Sequence, residues 1–405
     1  MTTLTPTDWN LRPAPRTAED WIARATAVAA VLATDAAARD RAGAAPHAEV
    51  RLLKDSGLVT LLGPAEYGGG GQNWITAYHV VREIAKADGS IGQLLGYHYL
   101  WNWAARLVGT REQWEHIEAE AARRRWFFGG AVNPRDKDVV VTEDGDDLVF
   151  TGRKTFSTGS RVSDVTVLEG VLDGTDRHVF AIVPSGSEGL TFHDDWDNIG
   201  QRLTESGSVT LDGVRTPWSS AAGYVDKEFR PRVYNTLNVP TIQLVFVNFY
   251  LGIAAGALET AATYTRTRTR PWLHGGHDRA VDEPHVVDTY GDLTAKLWAV
   301  EALADAVAVE GQRLHDDPDA VTEQTRGDFE VRVAAVKARA TDVALEIASR
   351  VFEVTGARST TTAEGLDRFW RNVRTHTLHD PVAYKRREVG RWVLEGELPE
   401  PTWYS

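Results

Sequence analysis

The sequence predicts a mainly α-helical protein interrupted by a β insert, and three observations predict it. Ala-rich stretches with helical periodicity run from about Ala18 to Arg125. Short β-branched segments at roughly ten-residue spacing follow. Long helical patterns then return after Tyr234 and continue to Leu394. The chain has 405 residues, more than one hydrophobic core usually organises. The expected domains are residues 1–125 (helical), 126–234 (β) and 235–405 (helical).

Each element has a local signal. Trp21 to Ala38 reads as one helix, and Val50, Leu53, Leu58 and Leu61 repeat at helical spacing. Gly68 to Gly71 reads as a flexible turn; it is not a dinucleotide-binding G-x-G-x-x-G, because no strand–turn–helix pattern surrounds it. Helices are expected over Trp74 to Ala87 and Leu94 to Val108. Val139 to Thr142, Leu148 to Thr151, Val165 to Leu172, Val179 to Pro184 and Ser208 to Leu211 read as strands. Turns such as Asp144-Gly145 and Asp173-Gly174 separate them, which suggests a small barrel or sandwich. Leu244 to Thr265, Val287 to Leu314 and Phe329 to Thr355 read as long helices.

Composition narrows the function. A net charge of −13 argues against a general nucleic-acid binder. With no cysteine, disulfides, thiolate catalysis and Cys-ligated metals are excluded. The N-terminus lacks a signal pattern. No apolar run approaches the ~18 residues of a membrane span, and Leu244 to Ala257 is interrupted by Asn248. A soluble, cytoplasmic protein is expected. The 14 Trp are read mainly as core filling, with the lining of an apolar pocket as the alternative.

Several segments, in order, resemble the acyl-CoA dehydrogenase superfamily. They are Pro64-Ala-Glu-Tyr-Gly-Gly69, Ile199 to Ser208 with Val214-Arg-Thr-Pro217, Leu251 to Leu258, and Tyr264-Thr-Arg-Thr-Arg268. The resemblance implies a helical N-terminal domain, a central β-barrel and a C-terminal four-helix bundle around a flavin. It also implies that Lys154-Thr-Phe-Ser-Thr158 is the strand passing the flavin, with the Thr158 hydroxyl facing N5; Phe156, two residues back and so expected on the same strand face by alternation, would pack on the ring. A hydroxyl both donates and accepts, so it can serve either redox state of N5. Ser206 and Trp196 fall in segments beside the flavin. Arg268 and Arg270 match a segment that reaches cofactor phosphates, often from a neighbouring subunit. Arg358 stands where a neutral residue is usual; a guanidinium suits the terminal phosphate of FMN better than the pyrophosphate of FAD, which stays possible.

Trp370 to Pro381 carries the choice of chemistry. Dehydrogenases of this superfamily abstract a substrate proton with a glutamate, and many carry it here; this chain has none between Phe369 and Arg387. It has His376 and His379, three residues apart and so expected on one helical face. The H-x-x-H-D-P run, Gly96-Tyr97-His98 and Asp194-Asp-Trp196 resemble the dibenzothiophene monooxygenase group of flavin monooxygenases. Metal ligation and a purely structural role for the histidines are the alternatives.

The resemblance implies a two-component reaction. Reduced FMN arrives from a separate NAD(P)H:flavin reductase, meets O2 and forms a C4a-hydroperoxyflavin that oxygenates sulfur, nitrogen or electron-rich carbon of a small aromatic substrate. His379 and Thr158 would hydrogen-bond the peroxide, with Tyr97 beside them and His376 at the cofactor; a homotetramer is implied. Three departures leave the substrate open: Gln93 replaces a histidine, Gly130 an asparagine and Thr158 a serine. An acyl-CoA dehydrogenase or oxidase with its base elsewhere, or a non-catalytic binding protein, stays open.

Overall fold

A computed structural model of the protein describes Trp9 and residues 12–135 and 137–401. Helix α1 (Ala18–Ala33) opens with a capping box between Thr17 and Asp20. It stops short of the expected Ala38. The Thr34 hydroxyl donates to the Val31 carbonyl, and α2 (Ala36–Ala42) departs at 63°. Helices α3 (His47–Asp55), α4 (Trp74–Ala87), α5 (Gly89–Val108) and α6 (Arg111–Arg124) complete the N-terminal part. Helix α5 starts one turn before the expected Leu94, because Asp88 caps it by accepting from the N–H groups of Ser90 and Ile91.

The glycine run is a close-packed ribbon rather than a loose turn. The Gly70 N–H donates to Thr60 O and that of Gly71 to Gly63 O. A Cβ on Gly69 would lie 2.2 Å from Gly63 O, so the two backbone stretches require glycine to pass.

The central part is a curled seven-stranded sheet: β1 (Phe128–Ala131), β2 (Val139–Asp144), β3 (Asp147–Lys154), β4 (Val165–Leu172), β5 (His178–Pro184), β6 (Leu190–Phe192) and β7 (Val209–Pro217). Its order is β1-β4-β2-β3-β7-β6, with β5 on the other edge of β4. A small hairpin, β8 (Tyr224–Val225) with β9 (Glu228–Phe229), follows. The run Phe128-Gly-Gly-Ala131 has no β-branched residue, which is why β1 carries no strand signal in the sequence.

The C-terminal part holds α7 (Asn238–Thr267), α8 (Pro284–Asp316), α9 (Glu323–Thr355), α10 (Asp367–His376) and α11 (Val382–Glu395). Helix α7 packs against α4, α5, α8 and α9, and both helical regions share one hydrophobic core. The sheet has its own core around Val141, Phe150 and Leu168. The stretch Val233–Thr267 is, contrary to the sequence expectation, long and apolar enough to cross a membrane. Its apolar 18-residue window is 94% buried within the protein, because this helix is the axis of the shared core.

Candidate active site

A cavity of about 820 Å³ opens where the middle of α5, the loops of the sheet, the start of α7 and the end of α10 meet. Tyr97, Phe156, Thr158, Trp196, Ser206, His376 and His379 all line it, although they come from segments far apart in sequence.

The sheet side is built by two loops zipped together. Strand β3 ends at Lys154, so Phe156 and Thr158 do not share a strand face as alternation predicts. Instead Phe156 sits at φ 59° and the chain turns sharply. Thr158 is buried, whereas Phe156 is 63% exposed, its ring edge-on to Trp196 at 6.1 Å. Gln201 and Glu205 on the facing loop also have positive φ, at 53° and 45°. Left-handed backbone at non-glycine residues is strained, and such strain collects at functional sites. The Ser157 N–H donates to Gly207 O and that of Gly159 to Thr204 O. The Thr158 and Ser206 hydroxyls lie 2.9 Å apart.

The helix side centres on the histidines. Helix α10 ends at His376, and the His379 N–H closes a turn onto His376 O at 2.9 Å. The pair is therefore not on one helical face, as expected, but stacked through the turn, with ring planes 7° apart. His376 is fully buried, with Nε2 3.1 Å from the Tyr97 hydroxyl and Nδ1 2.8 Å from that of Tyr250. Burial first, then the neighbouring His379 and Lys337, holds it well below the usual histidine range and so neutral. Its two ring nitrogens are thus taken by tyrosines, and it holds Tyr97 in place at the cavity wall.

His379 is partly exposed to the cavity. Its Nδ1 lies 3.4 Å from Asp380 Oδ1. Asp380 also pairs with Lys337 and accepts from Gln243 Nε2 at 3.2 Å. Burial would raise the Asp380 carboxyl, but the His379 hydrogen bond and the Lys337 charge outweigh it and hold it below the usual range.

The three departures can now be placed. Gln93 and Thr158 line the cavity. A Cβ on Gly130 would stand 2.4 Å from Trp101 Cε2, so the indole fills the space that a side chain there would take. Gln93 Oε1 and Trp101 Nε1 have no hydrogen-bond partner among the described residues. At the mouth, Asn133 is clamped by a wholly buried ion pair. Glu169 accepts from its N–H and Lys154 donates to its carbonyl, both at 3.2 Å, with 2.8 Å between the charges.

Arg268, Arg270 and Arg358 are exposed and line no part of this cavity; Arg268 pairs with Glu364. The sequence reasoning missed Tyr250, Gln243, Lys337 and Asp380. Asp380 stood within the quoted H-D-P run, but Lys337, forty-three residues earlier, has no local signal.

A flavin fits what is present. The cavity is at the large end for a ligand site. An exposed phenyl ring and an indole flank its mouth, and buried hydroxyls stand behind them.

Comparison with known proteins agrees. Residues 22–124 match the acyl-CoA dehydrogenase N-terminal domain and residues 244–383 its C-terminal domain. The chain is 41% identical to a dibenzothiophene monooxygenase of Rhodococcus erythropolis over 417 aligned positions, covering 100% of both. The structure of methanesulfinate monooxygenase MsuC from Pseudomonas fluorescens superposes with a TM-score of 0.92 at 39% identity, over 95% of this chain and 99% of that one. Dibenzothiophene monooxygenase TdsC from Paenibacillus sp. A11-2, in complex with FMN and indole, superposes with a TM-score of 0.91 at 38% identity, over 95% and 99%. The full-length match, carried through the same order of helices, curled sheet and helices, places this chain in the dibenzothiophene monooxygenase family, the flavin-dependent monooxygenase branch of the acyl-CoA dehydrogenase superfamily.

Proposed function

We propose that this enzyme uses reduced FMN and O2 to oxygenate a sulfur, nitrogen or electron-rich carbon of a small, apolar, aromatic substrate. The carrying observation is the lining of the cavity. It combines the polar groups of Thr158, Ser206, Tyr97 and His379 with the apolar side chains of Trp101, Val108, Val132, Ile182, Val239 and Ile242. The apolar side chains suit an aromatic guest held by burial. Among the described residues no glutamate lines the cavity, which disfavours the proton-abstracting dehydrogenase reading. The TdsC complex with FMN and indole supports both the cofactor and the aromatic class.

A bound flavin would supply the activation of O2. The residues of this chain would do the rest. Phe156 and Trp196 would hold the ring, and Thr158 and Ser206 would offer it hydroxyls. His379, oriented by Asp380, would act as the proton donor. The apolar walls exclude water, which would otherwise favour loss of hydrogen peroxide. Reduced FMN comes from a separate NAD(P)H:flavin reductase. Arg268, Arg270 and Arg358, exposed on one chain, reach the phosphate of a neighbouring subunit's FMN in a homotetramer.

The test uses the protein with anaerobically reduced FMN, mixed with ¹⁸O₂ and a panel of aromatic sulfides, sulfones, amines and indoles. Product carrying one ¹⁸O is expected. Turnover of acyl-CoA with a dye acceptor, and no labelled product from any substrate, would overturn the reading.

A further inference from the structure

Behind the cavity wall, hydroxyls form a chain that ends on a carbonyl. Thr204 Oγ1 lies 2.9 Å from the Gln201 carbonyl oxygen. Ser206 Oγ lies 2.8 Å from Thr204 Oγ1, and Thr158 Oγ1 lies 2.9 Å from Ser206 Oγ. These are three short contacts, and each needs one hydrogen between its oxygens. Each hydroxyl has one hydrogen, and a carbonyl has none to give. Thr204 must therefore donate to Gln201. Ser206 must then donate to Thr204, and Thr158 to Ser206. Among the described residues the other acceptor for Ser206, the Thr204 carbonyl, is 3.5 Å away, too far to compete. All three side chains are buried, and Thr204 lies behind the cavity lining.

The count leaves Thr158 with its hydrogen committed and only lone pairs for the cavity that it lines. We infer that Thr204 and Ser206 set the redox preference of the flavin site by making Thr158 an obligate acceptor. The inference rests on the reading that Thr158 meets flavin N5. Reduced flavin carries a hydrogen on N5, which an acceptor matches. Oxidised flavin presents a lone pair there, which an acceptor repels. An enzyme fed by diffusing reduced flavin gains from such a filter, because spent oxidised flavin leaves and does not block the site. Thr204 is a positioning residue in this scheme: it lies outside the cavity lining and acts only through Ser206 and Thr158.

The test is the ratio of Kd values for oxidised and reduced FMN, measured anaerobically by titration of the wild type, Thr204→Val and Ser206→Ala. Wild type is expected to bind reduced FMN at least about tenfold more tightly, the usual weight of one hydrogen bond. In Thr204→Val, Ser206 loses its acceptor and can turn to donate to Thr158, whose own hydrogen is then free. Oxidised FMN should bind about tenfold better, and the midpoint potential of bound flavin should fall by about 30 mV relative to wild type for a two-electron couple. Ser206→Ala should shift the ratio the same way, and it carries the test if Thr204→Val does not fold. A gain in affinity for oxidised FMN is not what mere structural damage produces. An unchanged ratio in the folded variants, or a wild type that holds both forms equally, overturns the inference and leaves the monooxygenase reading standing. A wild type that binds neither form overturns both.

Discussion

The imidazoles of His376 and His379 stack 5.4 Å apart, yet they occupy opposite electrostatic situations. His376 is sealed between two tyrosine hydroxyls, whereas His379 turns one edge to a carboxylate and borders the cavity. The first holds a wall of the cavity, and the second opens onto the cavity itself.

Removing the second should separate oxygen consumption from product formation. His379→Ala is expected to fold, bind FMN and consume O2, but to release it mostly as hydrogen peroxide. The loss of one hydrogen bond of ~1–3 kcal/mol corresponds to roughly a tenfold or greater fall in coupled product. Thr158→Ala should act in the same direction through its contact with flavin N5, and the double variant should be less than additive because both residues serve one bound flavin. Paired measurements of product and peroxide per O2 check this; full coupling in His379→Ala would make the residue structural.

Removing the first should cost stability instead. His376→Ala strands the buried hydroxyls of Tyr97 and Tyr250, each at a cost of ~1–3 kcal/mol. Urea unfolding should show the loss, and Tyr250→Phe in the same background should recover part of it.

Lys337, 2% exposed, is pushed down to about 8 by burial, against the upward pull of Asp380. As pH rises through that value, the pair loses its positive member while Asp380 keeps its negative charge. Product per O2 should therefore fall above about pH 8 in the wild type. Lys337→Met should show low coupling at every pH and be less stable by ~3–5 kcal/mol, the usual cost of stranding one buried charge. A wild-type yield that is flat from pH 7 to beyond 9, at roughly the range set by a lysine of that pKa, would contradict the orienting role.

Gly130→Asn should collide with Trp101. The expected cost is ~1–3 kcal/mol, with a lowered Tm and a changed order of preferred substrates. Trp101→Ala in that background should give a double variant more stable than the sum of the single losses predicts. Simple additivity would mean that the two do not share the space.

Acid should destabilise the fold before carboxylates titrate. The Phe128 N–H donates to His98 Nδ1 at 3.0 Å, so Nε2 must carry the proton for Val59 O. Burial pushes His98 down to about 4 and His315 to about 3. Below about pH 6.5 the unfolded chain takes up protons that these folded histidines refuse, so stability falls as pH falls towards 4. Each residue contributes up to ~1.4 kcal/mol per pH unit in that window. His98→Gln, which can make both hydrogen bonds without titrating, should flatten the slope of unfolding midpoint against pH.

How much of this was legible in the sequence depended on the range of the interactions. Val165 to Leu172 was read to the residue because a buried strand is written in consecutive branched side chains. Trp74 to Ala87 was read equally well from its periodicity. Strand β1 was missed because its pairing with β4, not its own composition, makes it a strand. In the site, Tyr97, Phe156, Thr158, Trp196, Ser206, His376 and His379 all border the cavity whereas Arg268, Arg270 and Arg358 do not, and the geometry among them does not follow from regular repeats. Period-two and helical-face arguments failed at Phe156 and His379 because both lie just past the ends of their elements, where regular repeats no longer apply. Lys337 was invisible, since its meaning comes only from Asp380 across the fold.

The clamp on Asn133 makes a fixed post in the lining of the cavity. Opposite charges grip both sides of one residue, so its peptide planes cannot rotate without breaking hydrogen bonds to a buried ion pair. Pro134 and Arg135, immediately beyond, also border the cavity, and the Arg135 N–H hangs on the same post by donating to Asn133 Oδ1 at 3.3 Å. The doorway can therefore be recut by exchanging side chains after the post, while the room behind keeps its shape. Substrate range in this enzyme is open to alteration from the threshold, with the chemistry left untouched.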